Sequence, residues 1–221
     1  MIIVIDGPAG SGKSSTAKEI ANRLNIQFLD SGALYRAVTF HWLNSGKSDI
    51  RSFIELLPDV KIASKYKNNT FFVSLDGSDI TNQLRQHYVA EHVSEIATQP
   101  DVRMFVNNYM RNLVVNGTYI ADGRDLGTAV FPDAEIKFFM TASIEERARR
   151  RFNEIKETDP GVTLKDVEEN IRQRDNKDQN RASDPLKKAD DAIEIDTTGK
   201  TFEEQISEMI SIIENKTKLN H

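Results

Sequence analysis

IDGPAGSGKSS (residues 5–15) lies between an apolar run that begins at Ile2 and a helical pattern over residues 14–24. It matches G-x-x-x-x-G-K-[ST], whose glycines let backbone N–H groups turn towards a phosphate while the following helix directs its positive end there. Lys13 can bridge β- and γ-phosphates, and the Ser14 hydroxyl can ligate Mg²⁺. A plain glycine-rich turn has no use for Lys and Ser at these positions, so the stretch predicts a nucleoside triphosphate site. The predicted ATP-binding residues are Gly7, Pro8, Ala9, Gly10, Ser11, Gly12, Lys13, Ser14 and Ser15, with Ser14 as the metal ligand.

Outward from this stretch, short apolar runs alternate with helical patterns along most of the chain. Further strands are predicted at residues 26–29, 119–121, 136–140 and 193–195, and helices include residues 33–43, 202–213 and one that opens with a capping box at 143–146. Near-continuous apolar strands that alternate with helices indicate a parallel sheet covered on both faces. The predicted fold is therefore α/β, with a P-loop NTPase-type parallel sheet and helices on both faces.

One region breaks this alternation. Between residues 60 and 80 apolar residues alternate, with turn pairs at Asn68-Asn69 and Asp76-Gly77, which predicts a small inserted antiparallel meander. The Asp159-Pro160-Gly161 break between two charged helices indicates a second movable segment. The expected boundaries are residues 31–92 for the inserted subdomain, 147–162 for a short helical lid, and 1–30, 93–146 and 163–221 for the core domain.

Composition excludes several other classes of protein. The chain has 221 residues, of which 38% are hydrophobic, so it can bury a substantial core as one domain with an insertion. The absence of Cys excludes a disulfide framework, a thiolate metal site and a cysteine nucleophile. The net charge of −5 argues against bulk binding to nucleic acid. No apolar stretch approaches a signal peptide or a membrane span, so we expect a soluble, cytoplasmic protein with neither nucleic acid nor membrane as a partner.

Because the chain is acidic overall, an anionic ligand must be held by local clusters of positive charge. Ser31 and Arg36 follow the second predicted strand, and Arg124 follows the strand at 119–121. The carboxyl ends of parallel strands meet at one edge of the sheet, where ligands bind. Both arginines are therefore expected on the side of the phosphate loop, and they predict a second anion site.

Two further charged groups have both functional and ordinary explanations. Arg174, Asp178 and Arg181 are spaced i, i+4 and i+7, on one face if the segment is helical, but such an Arg–Asp pair is often only a solvated surface pair. Arg147 and Arg151 follow two glutamates and could form a charged helix face. The residues alone leave these alternatives open.

A GTPase interpretation is disfavoured by the order of two short motifs. NKDQ, residues 176–179, and DTTG, residues 196–199, superficially resemble guanine-binding and switch motifs. The first lacks the acidic residue that would pair with the guanine ring, and the second follows it, which reverses the GTPase order. Kinase chemistry fits better, because phosphoryl transfer needs positioning and neutralised charge, and the histidines are not placed as bases.

Taken together, the motifs identify a family. The chain resembles the bacterial cytidylate (CMP/dCMP) kinases, of the nucleoside monophosphate kinase group, and the resemblance covers essentially the whole chain. The segments that carry it are IDGPAGSGKSS (5–15), LDSGALYRAV (29–38), the pair Ser94 and Arg103 around QPDVR, IADGRDLGTAVFPDA (120–134), ERARRR (146–151), RQRDNKDQNRASDPL (172–186) and DTTGK (196–200). The inserted meander fits as well, since these kinases carry an enlarged monophosphate-binding domain.

The resemblance implies ATP-dependent phosphorylation of CMP and dCMP by a monomer that uses Mg²⁺. The resemblance further implies which residues contact each part of CMP: its phosphate is bound by Ser31, Arg36, Arg124 and Arg181, its sugar by Arg174 and Asp178, and its cytosine by Ser94, Arg103 and Asp125. It places Arg147, Arg150 and Arg151 in the lid. The implied catalytic residues are Lys13, Arg124, Arg147 and Arg151. A carboxylate such as Asp125 can accept from the exocyclic amine of cytosine. Uracil offers a carbonyl there and would leave the acceptor unpaired, at a cost of about 1–3 kcal/mol.

Two alternatives stay open at the level of sequence. UMP or another small phosphate could replace CMP as acceptor. A nucleotide-sensing switch that binds ATP without transfer is a different class of function, and the second anion site argues against it.

Overall fold

The computed structural model describes residues 1–46, 49–157 and 160–217. Its strands are β1 (Ile2–Asp6), β2 (Gln27–Asp30), β3 (Ile62–Lys67), β4 (Thr70–Leu75), β5 (Ser78–Asp79), β6 (Tyr119–Asp122), β7 (Ile136–Thr141) and β8 (Ile193–Asp196). Five of them form a parallel sheet in the order β2-β6-β1-β7-β8, and the other three form an antiparallel sheet. The predicted α/β class and the separate antiparallel meander are both confirmed.

β1 lies at the centre of the parallel sheet because its residues are apolar on both faces. Ile3 pairs with Ile120 on β6 and Ile136 on β7, and it is fully buried. Asp6 and Asp122 end adjacent strands at the same edge of the sheet. The main chain after each strand therefore opens onto a common surface, where the site is built.

The helices are α1 (Lys13–Arg23), α2 (Ser31–Asn44), α3 (Ile50–Ile54), α4 (His87–Ile96), α5 (Pro100–Leu113), α6 (Ile144–Ile155), α7 (Leu164–Asn180) and α8 (Phe202–Thr217). Side-chain caps fix the first turns of α2, α3, α6 and α7. Asp30 accepts from Ala33 N at 2.7 Å, and Thr163 forms a complete capping box with Asp166. None of the described helices has the length and apolar character needed to cross a bilayer.

The capping box predicted at residues 143–146 is only half correct. The Ser143 hydroxyl accepts from Glu146 N at 3.2 Å, as expected. The N–H of Ser143, however, donates to Thr198 Oγ1 at 2.9 Å, so it does not bond back to Glu146. A residue distant in sequence has replaced the local partner.

The antiparallel sheet packs beside β2. Asn68 and Asn69 adopt φ values of 49° and 58°, which suit the two-residue turn predicted between β3 and β4. Phe28 on β2 packs edge-on against Tyr66 and Phe71, with ring centroids 5.7 and 6.2 Å apart. The inserted strands therefore share one continuous hydrophobic core with the parallel sheet.

Helices α6 and α7 pack on a second, small apolar cluster. Its buried members are Ala9, Ala148, Val167 and Ile171. Of the predicted break between these helices, Pro160 and Gly161 form a turn, and Asp159 lies outside the described residues. Ala9 belongs to the phosphate loop, so the tip of that loop packs with the two helices rather than with the main core.

Candidate active site

The loop between β1 and α1 is shaped by glycines that no other residue can replace without strain. A Cβ on Gly7 would lie 2.1 Å from the carbonyl oxygen of Met140 on β7, so Gly lets the chain pass the neighbouring strand. Gly12, which precedes the first turn of α1, has φ 91°, in the left-handed region that favours glycine. The loop consequently leads directly into the positive end of α1.

Lys13 folds back over this loop. Its Nζ donates to the carbonyl of Pro8 at 2.6 Å and to Ser11 Oγ at 3.2 Å. Burial, and then the nearby Arg124 guanidinium, hold the pKa of Lys13 well below its ordinary value. An anion beside this ammonium would relieve both effects, so the position is suited to a phosphate.

Two adjoining cavities open at the carboxyl edge of the sheet, with volumes of about 560 and 140 Å³. Six of the predicted ATP-binding residues line the larger cavity, namely Ala9, Gly10, Gly12, Lys13, Ser14 and Ser15. Gly7, Pro8 and Ser11 are not among the described residues that line it, and they shape the loop from behind. The residues that line both cavities are Ser14, Arg36, Val93, Arg124 and Arg174.

Eight of the nine predicted CMP-binding residues line the smaller cavity. They are Ser31, Arg36, Ser94, Arg124, Asp125, Arg174, Asp178 and Arg181. They come from α2, α4, the turn after β6, α7 and the segment after α7, so folding gathers side chains that lie far apart in the sequence. The ninth, Arg103, is 2% exposed and stands behind this wall.

Arg103 and Arg181 hold Asp125 between them. Arg103 donates through Nη2 to one carboxylate oxygen of Asp125, and Arg181 Nη2 donates to the other at 2.5 Å. Arg103 also donates to Asp184 Oδ2 at 2.7 Å, and its guanidinium lies 5.5 Å from the ring centroid of Tyr35. Asp125 is therefore fixed in position, with its charge balanced by two buried guanidinium groups.

The charged residues of α7 follow the predicted spacing only in part. Arg174 and Asp178 lie on the helix, and Asp178 Oδ2 accepts from Arg124 Nε at 2.9 Å. Burial and the neighbouring Arg124 lower the pKa of Arg174 to about 10. Arg181 is the first residue past the helix, with an extended ψ of 144°, so the expectation of one helical face for all three was wrong for Arg181.

The arginines of α6 separate into two groups. Arg150 and Arg151 line the larger cavity, and Arg150 Nη2 donates to the carbonyl of Thr197 at 2.8 Å. Arg147 is buried behind the phosphate loop, where its Nη1 donates to the carbonyl of Ala9 at 2.9 Å and to Asp175 Oδ2 at 2.5 Å. Arg147 is not among the described residues lining either cavity, which corrects the expectation that it faces the triphosphate.

Comparison with known proteins identifies the family to which these residues belong. Residues 3–215 match the family described as Cytidylate kinase. The chain belongs to that family. It is 44% identical over 216 residues to the cytidylate kinase of Chloroherpeton thalassium, covering 94% of this chain and 90% of the relative. The cytidylate kinase of Clostridioides difficile is 42% identical over 214 residues, covering 96% and 98% of the two chains.

The resemblance predicted from the motifs is thereby confirmed, and this cytidylate kinase family member is a nucleoside monophosphate kinase, a phosphotransferase. A solved structure of an uncharacterized protein from Eubacterium ventriosum is similar, with a TM-score of 0.56 at 15% identity, covering 97% of this chain and 98% of that one. At that identity the similarity concerns the fold alone.

Asp122, at the end of β6, is a site residue of this cytidylate kinase family member that the sequence reasoning missed. Its Oδ2 accepts from the Ser14 hydroxyl, and its Oδ1, although buried, has no partner among the described residues. Burial and the nearby Asp30 raise the pKa of Asp122 to about 7. The signal available was an aspartate directly after an apolar strand beside the loop strand.

A second missed group also lines the larger cavity. It consists of Lys200, Phe202 and Gln205, at and just before the start of α8, and Gln205 Nε2 donates to Thr16 Oγ1 of α1 at 2.8 Å. Phe202 is 47% exposed and lines the cavity, so its ring is available to a ligand there. Only a helix start was predicted here, because nothing local in the sequence distinguishes a ring that faces solvent from one that faces a cavity.

Proposed function

We propose that this protein transfers the γ-phosphoryl group of ATP to CMP or dCMP, giving ADP and CDP or dCDP. The observation that carries the proposal is the junction of the two cavities, which Arg36, Arg124 and Arg174 line from both sides. Guanidinium groups crowded at a partly buried junction repel one another unless anions lie between them. Two phosphate chains that meet head-on supply such anions.

The donor would occupy the larger cavity. Its phosphates would lie against the loop and Lys13, and its base would extend towards Phe202. Arg150 and Arg151 would neutralise charge on the triphosphate from the lid side, and Arg151 with Lys13 and Arg124 would be catalytic. An aromatic ring and long polar side chains suit a flat base.

The acceptor would occupy the smaller cavity. Ser31, Arg36, Arg124 and Arg181 would hold the phosphate of CMP, and Arg174 with Asp178 would bind its sugar. Ser94 and Asp125 would contact cytosine from the cavity wall. Arg103 would act on the base through Asp125, because its own guanidinium lies behind that carboxylate.

Mg²⁺ fits the residues beside the loop. The Ser14 hydroxyl and the unpartnered Asp122 Oδ1 are oxygen ligands of the kind Mg²⁺ prefers when it also binds substrate phosphates. Bound there, the ion would withdraw charge from the β- and γ-phosphates. Burial disfavours the charged carboxylate of Asp122, and a bound cation would offset this by stabilising the deprotonated form.

The chemical step needs no strong base. A phosphate oxygen of the acceptor forms a bond to the γ-phosphorus while the bond to the β–γ bridging oxygen breaks, and ADP leaves with that electron pair. The acceptor is already an anion at neutral pH, so no proton must be removed. The side chains of Lys13 and Arg124 act by stabilising charge on the transferring group.

Closure of the molecule would exclude water, the competing nucleophile. We propose that residues 31–92 carry the acceptor and residues 147–162 act as the lid, on a core of residues 1–30, 93–146 and 163–221. The net charge of −5 and the family resemblance support a monomer that handles free nucleotides rather than nucleic acid.

A coupled assay of ADP release across a panel of nucleoside monophosphates tests the proposal. CMP and dCMP should stimulate release strongly, and UMP should do so weakly. If UMP were phosphorylated as fast as CMP, the assignment of cytosine as the recognised base would be wrong. ATP binding without any monophosphate-stimulated release would instead favour a nucleotide-sensing switch.

A further inference from the structure

Arg147 and Asp175 hydrogen-bond to the two backbone polar groups, the carbonyl and the N–H, of Ala9 in the phosphate loop. Asp175 Oδ1 accepts from Ala9 N at 2.9 Å, and Arg147 Nη1 donates to the carbonyl of the same residue at 2.9 Å. Arg147 Nη1 also donates to Asp175 Oδ2, which closes a three-residue ring of hydrogen bonds. The N–H of Ala9 is thereby committed to protein rather than to phosphate.

The two side chains come from different helices. Arg147 lies in the first turns of α6, and Asp175 lies in the second half of α7. Arg147 Nε additionally donates to the carbonyl of Ala142, just before α6, at 3.0 Å. The pair therefore ties the loop, both helices and the segment after β7 together at one point.

Packing around the same point supports this connection independently of the hydrogen bonds. Ala9 is a buried member of the apolar cluster beneath α6 and α7, together with Ala148 and Ile171. A Cβ on Gly10 would meet Arg147 Cβ and Ile171 Cδ1 at 3.3 and 3.4 Å, so the loop tip fits closely against the two helices. Any rotation of α6 and α7 relative to the sheet must therefore move Ala9 or break these contacts.

We propose that Arg147 and Asp175 are positioning residues that couple the orientation of α6 and α7 to the conformation of the phosphate loop, and so set how tightly the loop holds the donor triphosphate. The inference rests on the proposed function, since it assigns the pair to the donor side. Arg147 and Asp175 are both buried, and each satisfies the other's charge. Loss of either partner leaves a buried charge beside the loop without its counterion.

Asp175→Asn tests the coupling with little change in shape. The amide oxygen can still accept from Ala9 N, but the amide nitrogen then faces the Arg147 guanidinium, donor against donor. We expect the Kd for Mg·ATP, measured by titration calorimetry without acceptor, to rise about tenfold, as expected for one lost charge-assisted contact. The KM for CMP should stay within about twofold of the wild-type value, because the smaller cavity does not include this pair.

Arg147→Lys is a second variant that keeps the charge. One ammonium group cannot span the carbonyls of Ala142 and Ala9 as the guanidinium does. We expect an intermediate rise in the Kd for ATP. The single variant Arg147→Gln completes a double-mutant cycle: in Arg147→Gln/Asp175→Asn the rise in the Kd for ATP should not exceed that of the worse of its two single variants by more than about twofold, since coupled residues act as a unit.

Glu168→Gln is the matched control, because it removes a carboxylate from an exposed ion pair with Arg172 on the same helix. Its Kd for ATP should equal that of the wild type. Three results would each overturn the inference. The first is that Asp175→Asn weakens ATP and CMP binding equally, and the second is that Glu168→Gln raises the Kd for ATP as much as Asp175→Asn does. The third is that the effects of the two single changes on the Kd for ATP multiply strictly in the double variant. If the wild-type protein bound ATP but did not phosphorylate CMP, the proposed function would be wrong. The change in the Kd for ATP would still test whether Arg147 and Asp175 position the loop.

Discussion

The donor and acceptor sides of the site are built in opposite ways. On the donor side, the predicted phosphate site is one loop of consecutive residues before and at the start of α1, whose glycines let the main chain fold closely, and side chains from other elements complete the cavity around it. The acceptor side consists of side chains from α2, α4, α7 and the turns between elements. A site made from main chain can be encoded locally, whereas a site made from side chains depends on the whole fold.

The two sides also differ in how their charges are balanced. Lys13 on the donor side is buried beside another cation, Arg124, and its pKa is held low. On the acceptor side, Asp125 lies between Arg103 and Arg181. Binding of an anion should therefore stabilise the donor side most. The acceptor side is already charge-balanced, and removal of one of its charged members should destabilise it most.

Removal of the donor-side ammonium should have the largest effect. We expect Lys13→Ala to lower kcat by about 10³-fold or more, because a positive charge aimed at the transferring group is lost. Circular dichroism should show an unchanged fold. Lys18→Ala, on the same helix but not among the described residues lining a cavity, is the control and should keep normal activity. Surviving transfer in Lys13→Ala would contradict the role of the loop.

Removal of an acceptor-side arginine should separate the two substrates. Arg181→Ala takes one of two partners from the buried Asp125 and is expected to raise the KM for CMP by about 100-fold while changing the KM for ATP by less than about twofold. Steady-state kinetics with each substrate varied in turn measures both values. The exposed Arg172→Ala should affect neither. An unchanged KM for CMP with normal kcat would show that the acceptor lies elsewhere.

A smaller change within the acceptor side tests how the base is recognised. Ser94→Ala should lower the ratio of kcat/KM for CMP to that for UMP by about tenfold, the value of one hydrogen bond to the base. The KM for ATP should not change. Ser207→Ala on α8 is a matched hydroxyl deletion and should leave the ratio alone. If Ser94→Ala changes only the KM for ATP, Ser94 does not belong to the acceptor side.

The smallest expected effect concerns stability at Asp122, which lines the smaller cavity and accepts a hydrogen bond from Ser14 of the loop. The pKa of Asp122 is raised from 3.8 to about 7, so the folded protein keeps a proton that the unfolded chain has lost between these pH values. Stability from this group therefore falls as pH rises from about 4 to 7. Asp122→Asn removes the penalty, and its gain in Tm over the wild type should be larger at pH 8 than at pH 5 by a few degrees.

Scanning calorimetry at the two pH values measures this difference. The exposed Asp133→Asn should show no such dependence on pH. The same Asp122→Asn variant should need more Mg²⁺ for activity if Asp122 helps to hold the ion. An equal change in Tm at both pH values would mean that the buried carboxylate is not the cause.

Local patterns were sufficient for the parts of the molecule that local forces determine. The loop glycines, the strand–helix alternation and the turn at Asn68-Asn69 each depend on neighbouring residues, and the structure has them as predicted. Ser31, Arg36 and Arg124 were predicted to form an anion site from their positions after strands, but the roles of the acceptor residues towards CMP came only from the family resemblance, since Ser31 and Arg181 share no local pattern. The structure brings Ser31 beside the turn after β6 because β2 and β6 are neighbours in the sheet, and the chain after α7 adds Arg181 to the same cavity.

The errors come from contacts between residues distant in sequence. Arg147 and Arg151 are separated by about one helical turn on α6, which suggested one common face. Asp175, from the next helix, instead draws Arg147 behind the loop. Thr198 likewise takes the N–H of Ser143 that a capping box would use. Neither competitor is visible in the sequence around the residue it displaces.

The small apolar cluster beneath α6 and α7 has a consequence for the resistance of the enzyme to heat. Among the described residues, this cluster has four buried side chains, one of them Ala9 of the loop, with four partly buried ones packed against them. A unit with so little buried surface opens at lower cost than the main core does, so it should loosen while the sheet is still intact. On warming, catalytic activity should therefore be lost at a lower temperature than that of global unfolding. Cooling from between these two temperatures should restore the activity.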